Sequence, residues 1–164
     1  MDKLFVLAAP QEYPKLAEMI KETWHSAYDD LLGAEQVDYM TETFQSASAI
    51  ADQVKNKNYM YFYIVQKRKK IGYCAVVAEA DKLFLSKLYL VSDCRGKGIG
   101  QKALAAVAEM AKRLGLSAVY LTVNKMNARA IAAYEKFGFV RTESIVTDIG
   151  NGYVMDDYVY EYCV

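Results

Sequence analysis

Residue type and spacing first suggest chemistry at Arg95-Gly96-Lys97-Gly98-Ile99-Gly100. A glycine-rich turn that opens a helix offers an anion backbone N–H groups with no intrahelical partner. The helix dipole adds a preference for negative charge. Glycines also leave no Cβ to hold a phosphate away from the backbone. A P-loop would end in Gly-Lys-Ser/Thr, but Gly100 is followed by Gln101-Lys102-Ala103. A dinucleotide loop needs a third Gly three residues beyond its second, and three beyond Gly98 stands Gln101. What remains is Arg-x-x-Gly-x-Gly, filled by Arg95, Gly98 and Gly100. A second pattern follows about thirty residues on: Asn127, a short helical run ending in Tyr134, then Gly138-Phe139.

These residues need elements to position them. Residues 3–8 read as a strand that Pro10 ends, and Pro14 suits the first turn of a helix. Leu16, Met19, Ile20 and Trp24 give that helix an apolar stripe. Gly33 interrupts it, and 35–56 reads as helical with a break near Ser46. Strands are predicted at 59–66, 71–78 and 83–91, with Lys67–Lys70 as a hairpin tip. A helix after Gly100, with Ile99, Ala103, Val107, Met110 and Leu114 as its buried stripe, stops at Gly115. Then come a strand at 118–123, a helix from Asn127 to Lys136, and strands at 139–147 and 153–163 joined at Asn151-Gly152. The order predicts an α/β (α+β) fold: a mixed, mostly antiparallel sheet of about seven strands flanked by helices. Strands 83–91 and 118–123 are its parallel pair. Nothing marks a domain boundary, so residues 1–164 read as a single domain.

The two glycine-containing motifs, in this order and with a helix and strand between them, resemble the signatures of the GNAT N-acetyltransferase superfamily. The Ile149-Gly150-Asn151-Gly152 tail is similar to its bacterial small-amine members. The resemblance implies a sheet splayed between its two parallel strands and acetyl-CoA as the acyl donor. Pantetheine would then pair with backbone groups of Leu88, Tyr89 and Leu90. Pyrophosphate would sit on the amides of Gly96, Lys97, Gly98, Ile99, Gly100 and Gln101, with Arg95 and Lys97 adding charge. Asn127 matches a cofactor-contacting Asn, and Tyr134 the residue that faces the thioester sulfur. A phenol of pKa about 10 is protonated at neutral pH and can donate to the departing thiolate. The Leu90 backbone N–H is the candidate oxyanion contact.

The base stays open. Residues 83–91 hold no carboxylate; Glu79 and Asp81 precede them, His25 has a suitable intrinsic pKa, and a neutral amine would need none. Acceptor contacts are assigned to Trp24, Tyr28, Asp148 and Tyr153, with Phe44 as a further aromatic wall and Asp156 and Asp157 as further carboxylates. The expected reaction is direct attack by a small primary amine in a ternary complex. Acetylation of a protein or peptide amine, and a silent acyl-CoA-binding module, are the alternatives.

Charge and cysteine usage bound these readings. Twenty Lys plus Arg balance twenty Asp plus Glu, which gives no general pull to nucleic acid or anionic lipid. Locally, 95–113 carries net +4 and 141–164 net −4. No apolar run is long enough for a membrane span, and the first residues lack a signal-peptide pattern. Cys74, Cys94 and Cys163 form no close pair, and there is one His, so neither disulfides nor a metal is expected, and the location is read as cytoplasmic. A tyrosine-rich last strand could pair with a second copy, giving a homodimer.

Overall fold

The computed structural model describes residues 4–91, 94–95 and 97–164. The elements are β1 (Phe5–Leu7), a 3-10 turn at Pro10–Glu12, α1 (Tyr13–Leu32), α2 (Ala34–Phe44), α3 (Ala47–Asn56), β2 (Tyr59–Gln66), β3 (Lys69–Ala78), β4 (Lys82–Leu90), α4 (Ile99–Arg113), β5 (Ala118–Asn124), α5 (Ala128–Phe137), β6 (Val140–Gly150) and β7 (Tyr153–Cys163). The strand order is β1-β2-β3-β4-β5-β7-β6. Among the described residues the parallel neighbours are β4 and β5, over Lys82↔Ala118 to Phe84↔Tyr120. This is the mixed, mostly antiparallel, seven-stranded sheet with flanking helices that the element order implied.

The chain forms two compact units, residues 1–77 with 87–100 and residues 78–86 with 101–164. In the first, α1 presents Leu16, Ile20, Trp24 and Tyr28, four residues apart, as one buried row. Gly33 ends α1 at φ +88, and the Ser46 hydroxyl caps α3 by accepting from Ala49 N. β3 is buried from Ile71 through Val77, as befits an interior strand. Lys69 and Lys70 belong to β3, so the hairpin tip is only Lys67-Arg68. Both have positive φ, the mirror-image turn that matches strand twist.

In the second unit, the buried stripe of α4 is Ala103, Leu104, Val107 and Ala111. Leu114, expected in it, is 51% exposed. The helix ends at Arg113, so Leu114 lies beyond it, and Gly115 at φ +73 turns the chain next. The β6–β7 hairpin closes on Asn151-Gly152, again with both φ positive. β7 pairs with β5 on one side and β6 on the other, so it has no edge to offer a second chain. The edge strand is β6. Nor are the strand tyrosines only half-buried: Tyr61, Tyr63, Tyr73 and Tyr160 are among the largest fully buried side chains. Three of these phenols are hydrogen-bonded: Tyr61 donates to Gln53, Tyr73 accepts from Thr23, and Tyr160 donates to Glu135.

Candidate active site

The glycine turn is built as an anion cradle needs. Cys94 N bonds back to Val91 O, and the Arg95 Nε donates to Leu90 O at 3.2 Å, folding the chain sharply off β4. Ile99 is buried and anchors the first turn of α4, while Lys97 and Gly98 are exposed. Gly98 has φ +77, which L side chains rarely adopt. A Cβ at Gly98 or Gly100 would meet no atom within 4 Å, so the space in front of this backbone is open. The residues present therefore fit a pyrophosphate. Gly96 lies outside the described residues. Of the basic segment 95–113, only Arg95, Lys97 and Lys102 are near the turn. Lys112 and Arg113 stand at the far end of a fifteen-residue helix, about 20 Å away.

Leu88, Tyr89 and Leu90 end β4. Sequence reasoning missed the residue behind them, Gly72 on β3. A Cβ there would collide with the Tyr89 carbonyl oxygen and press on Leu90 Cα. An isolated Gly inside a strand pattern is a known sign of close backbone approach. Tyr89 packs in an aromatic cluster with Trp24, Tyr28 and Tyr73, its centroid 5.6 Å from those of Trp24 and Tyr73. The Tyr28 and Tyr89 hydroxyls lie 3.0 Å apart. Trp24 and Tyr28 are buried, so they back Tyr89 within the first unit rather than offering open ring faces. Phe44, by contrast, is exposed and packs its ring edge on Tyr39.

The second motif frames α5. Asn124 Oδ1 accepts from Met126 N, and Asn127 Oδ1 caps the helix by accepting from Ala130 N. Gly138, at φ +122, ends it. Tyr134 is half-buried with its ring edge on Phe139. Gln101 Nε2 donates to Ala133 O, which ties the start of α4 to the turn of α5 that holds Tyr134.

The acidic tail resolves into separate jobs. Asp148 is exposed and caps Gly150 N at the hairpin end, next to half-buried Tyr153. Asp156 pairs with Lys125 at 2.7 Å, and Glu161 with Lys82 at 2.6 Å. Asp157 is buried. The segment is thus not one cation-facing patch.

Two base candidates are otherwise engaged. His25 bridges Asp29 on α1 and Asp38 on α2, at 2.6 and 2.9 Å. Burial opposes its charge, but the two carboxylates outweigh it and hold the imidazole pKa above its usual value. Glu79 accepts from the Tyr120 hydroxyl. Glu79 and Asp81 precede β4, the whole strand away from Leu90. Cys74 is fully buried, and burial pushes its thiol pKa up, so it is no nucleophile.

On one face of the second unit's sheet, Glu79, Asp81, Lys82, Tyr120, Thr122, Thr142, Glu143, Ile145, Val159 and Glu161 line an open groove of about 700 Å³. Four carboxylates there face one lysine, already paired with Glu161. Among the described residues, no group of three or more His, Cys, Asp or Glu is placed to hold a metal ion. No described helix is long and apolar enough to cross a membrane.

With this geometry in view, comparison with known proteins agrees. Residues 19–139 match the family model for the acetyltransferase (GNAT) family, and the chain belongs to that family. It is an acetyl-CoA-dependent N-acetyltransferase. It is similar to the ribosomal protein bS18-alanine N-acetyltransferase of Escherichia coli K12: 24% identical over 110 residues, 67% of this chain and 74% of that one. It also resembles the streptothricin acetyltransferase of Streptomyces lavendulae: 28% identical over 137 residues, 82% of this chain and 62% of the relative. Among solved structures, the PaiA N-acetyltransferase of Thermoplasma acidophilum, in complex with coenzyme A, shares the fold at TM-score 0.81. The identity is 20%, with all of both chains covered.

Proposed function

We propose that this chain moves the acetyl group of acetyl-CoA onto a primary amine of a small cationic molecule, by direct attack in a ternary complex. The acidic groove of the second unit, whose lining runs from Glu79 and Asp81 to Thr122 on β5 and Ile145 on β6, supports this reading. Its volume lies within the usual range of small-molecule sites, roughly 300–1,000 Å³, and its carboxylates suit an ammonium. The cofactor's place follows from the cradle. Leu88, Tyr89 and Leu90 offer backbone groups to pantetheine. Arg95 and the amides from Lys97 to Gln101 take the pyrophosphate. Asn127 steadies the arm. When bound, acetyl-CoA supplies an activated acyl carbonyl and a thiolate leaving group. Leu90 N–H holds the oxyanion, and the Tyr134 phenol protonates the thiolate. The two units together act as one catalytic domain, and the three unpaired cysteines suit the reducing cytoplasm.

A CoA-release screen over polyamines, amino acids and short peptides tests the acceptor. Small amines react and peptides do not. Reaction with peptide N-termini but not small amines would transfer the reading to protein acetylation.

A further inference from the structure

We propose that Asp157 is the base that takes the proton from the acceptor amine. The inference rests on amine acetylation itself and holds whichever amine is the acceptor.

Along β7 the side chains alternate between the faces of the sheet. Tyr160 and Tyr162 meet α5: the Tyr160 hydroxyl donates to Glu135, and the Tyr162 ring lies against Phe137 and Gly138. Residues 157, 159 and 161 therefore face the other way, and Val159 and Glu161 line the groove. Cross-strand neighbours of Asp157 are Asn124 on β5 and Ile145 on β6, and Ile145 lines the groove too. Asn124 shapes the turn that leads through Asn127 to Tyr134. Asp157 thus stands at the end of β5 that carries the acid helix, on the opposite face.

The carboxylate is only 7% exposed, and its buried Oδ1 has no hydrogen-bond partner among the described residues. A buried acceptor left without a donor is costly, and structural reasons alone would favour Asn or an apolar residue here. The charged groups around it do not relieve it. Lys125, on the β5–α5 turn, is committed to Asp156, while Glu143 on β6 and Glu161 further along β7 are themselves acidic. Burial first, then Asp156, pushes the Asp157 pKa up to about 6 against the opposing pull of Lys125. Such a carboxylate is ionised at pH 7 and is a stronger base than an ordinary one. Glu79 and His25 are held elsewhere, as described above.

In the step, an ammonium N–H proton passes to Oδ1. The freed lone pair attacks the acetyl carbonyl carbon, forming C–N. The C–S bond breaks, and the thiolate takes the Tyr134 proton. The second N–H proton of the attacking nitrogen is lost through water and restores the Tyr134 phenol, which leaves the neutral amide. Asp157 then returns its proton to water.

The test is Asp157→Asn in the full chain, with the most reactive amine of the screen and saturating acetyl-CoA. At pH 7, kcat/KM for the acceptor should fall about 10²–10³-fold. The acid limb of its pH profile, near pH 6, should vanish, with CoA affinity by calorimetry unchanged. Asp157→Glu should keep the limb. Carboxyl-carbon NMR should show a titration near pH 6 that Asp157→Asn removes. An Asp157→Asn enzyme with wild-type rate and limb would overturn the assignment. So would a fall in rate that leaves the limb in place. If peptides prove to be the acceptors, the small-molecule reading fails and Asp157 is judged on the peptide reaction.

Discussion

Among the described residues, each unit buries one Lys, Asp or Glu side chain on its strands, and the two are treated in opposite ways. In the first, Lys87 on β4 donates from Nζ to the Tyr61 hydroxyl at 3.2 Å. It also lies 5.4 Å from the ring centroids of both Tyr59 and Tyr61. Tyr61 passes its own proton on to Gln53. Burial pulls the Lys87 pKa down to about 8, while the Tyr61 hydroxyl and the two tyrosine rings give the ammonium partners inside the protein. In the second, Asp157 has an oxygen that nothing described satisfies. A satisfied buried charge marks packing around a polar network, and an unsatisfied one marks a place kept for something else. The comparison therefore assigns proton chemistry to the second unit and a framework role to Lys87.

The largest expected effect tests that division. Tyr134→Phe should lower kcat about 10²–10³-fold, equivalent to about 3–4 kcal/mol in the barrier, with KM for acetyl-CoA nearly unchanged. Lys87→Met should leave kcat within about threefold. Steady-state kinetics of the two variants side by side decide it. A Lys87→Met enzyme as crippled as Tyr134→Phe would erase the distinction between the units.

Stability should show the same contrast with opposite pH signs. The folded Lys87 pKa lies below its ordinary value, so its charge penalises the fold at low pH. That penalty is relieved as pH rises from about 8 toward 10.5. Lys87→Met should accordingly stabilise the protein by about 1–3 kcal/mol at pH 7, the gain fading above pH 8. Asp157 is raised, so its penalty is absent at low pH and grows as pH climbs from about 4 to 6. Asp157→Asn should gain about 2 kcal/mol at pH 7 and nothing at pH 4. Urea denaturation at four pH values measures both. Equal gains at every pH would show that neither side chain is strained by its charge.

What was legible in the sequence follows the range of the interactions. The glycine turn, the Asn127 cap, the Gly138 stop and both tight hairpin turns are local, and residue type announces them. The order of elements along the chain came through because periodicity and turn chemistry agree along it, but the place of β7 between β5 and β6 did not. Longer-range facts were hidden. Gly72 is explained only by Tyr89, seventeen residues on. Nothing local to Tyr61 and Tyr73 announces the hydroxyl partners that accompany their full burial. Asp157 sat inside an acidic tail of net −4 whose carboxylates on β7 split between its two faces. Its neighbour Asp156 takes the lysine, and alternation alone could not say which of the two would be buried. Leu114 failed because the apolar period continued one residue past Arg113, where the helix ends.

His25 supplies a third buried-charge test, smaller because its imidazole is partly in water. It links α1 to α2 through Asp29 and Asp38, with Lys21 pairing Asp38 and Glu42 nearby. Its pKa is raised in the fold, so its contribution is full below about pH 6.5 and is lost as pH rises through the raised value. His25→Gln should therefore cost about 0.5–1 kcal/mol at pH 6, clearly less at pH 9, and less again in high salt. It should leave the acid limb of the rate profile in place, since His25 is committed to its two carboxylates. A His25→Gln enzyme without that limb would move the base from the second unit to the first and reverse the comparison.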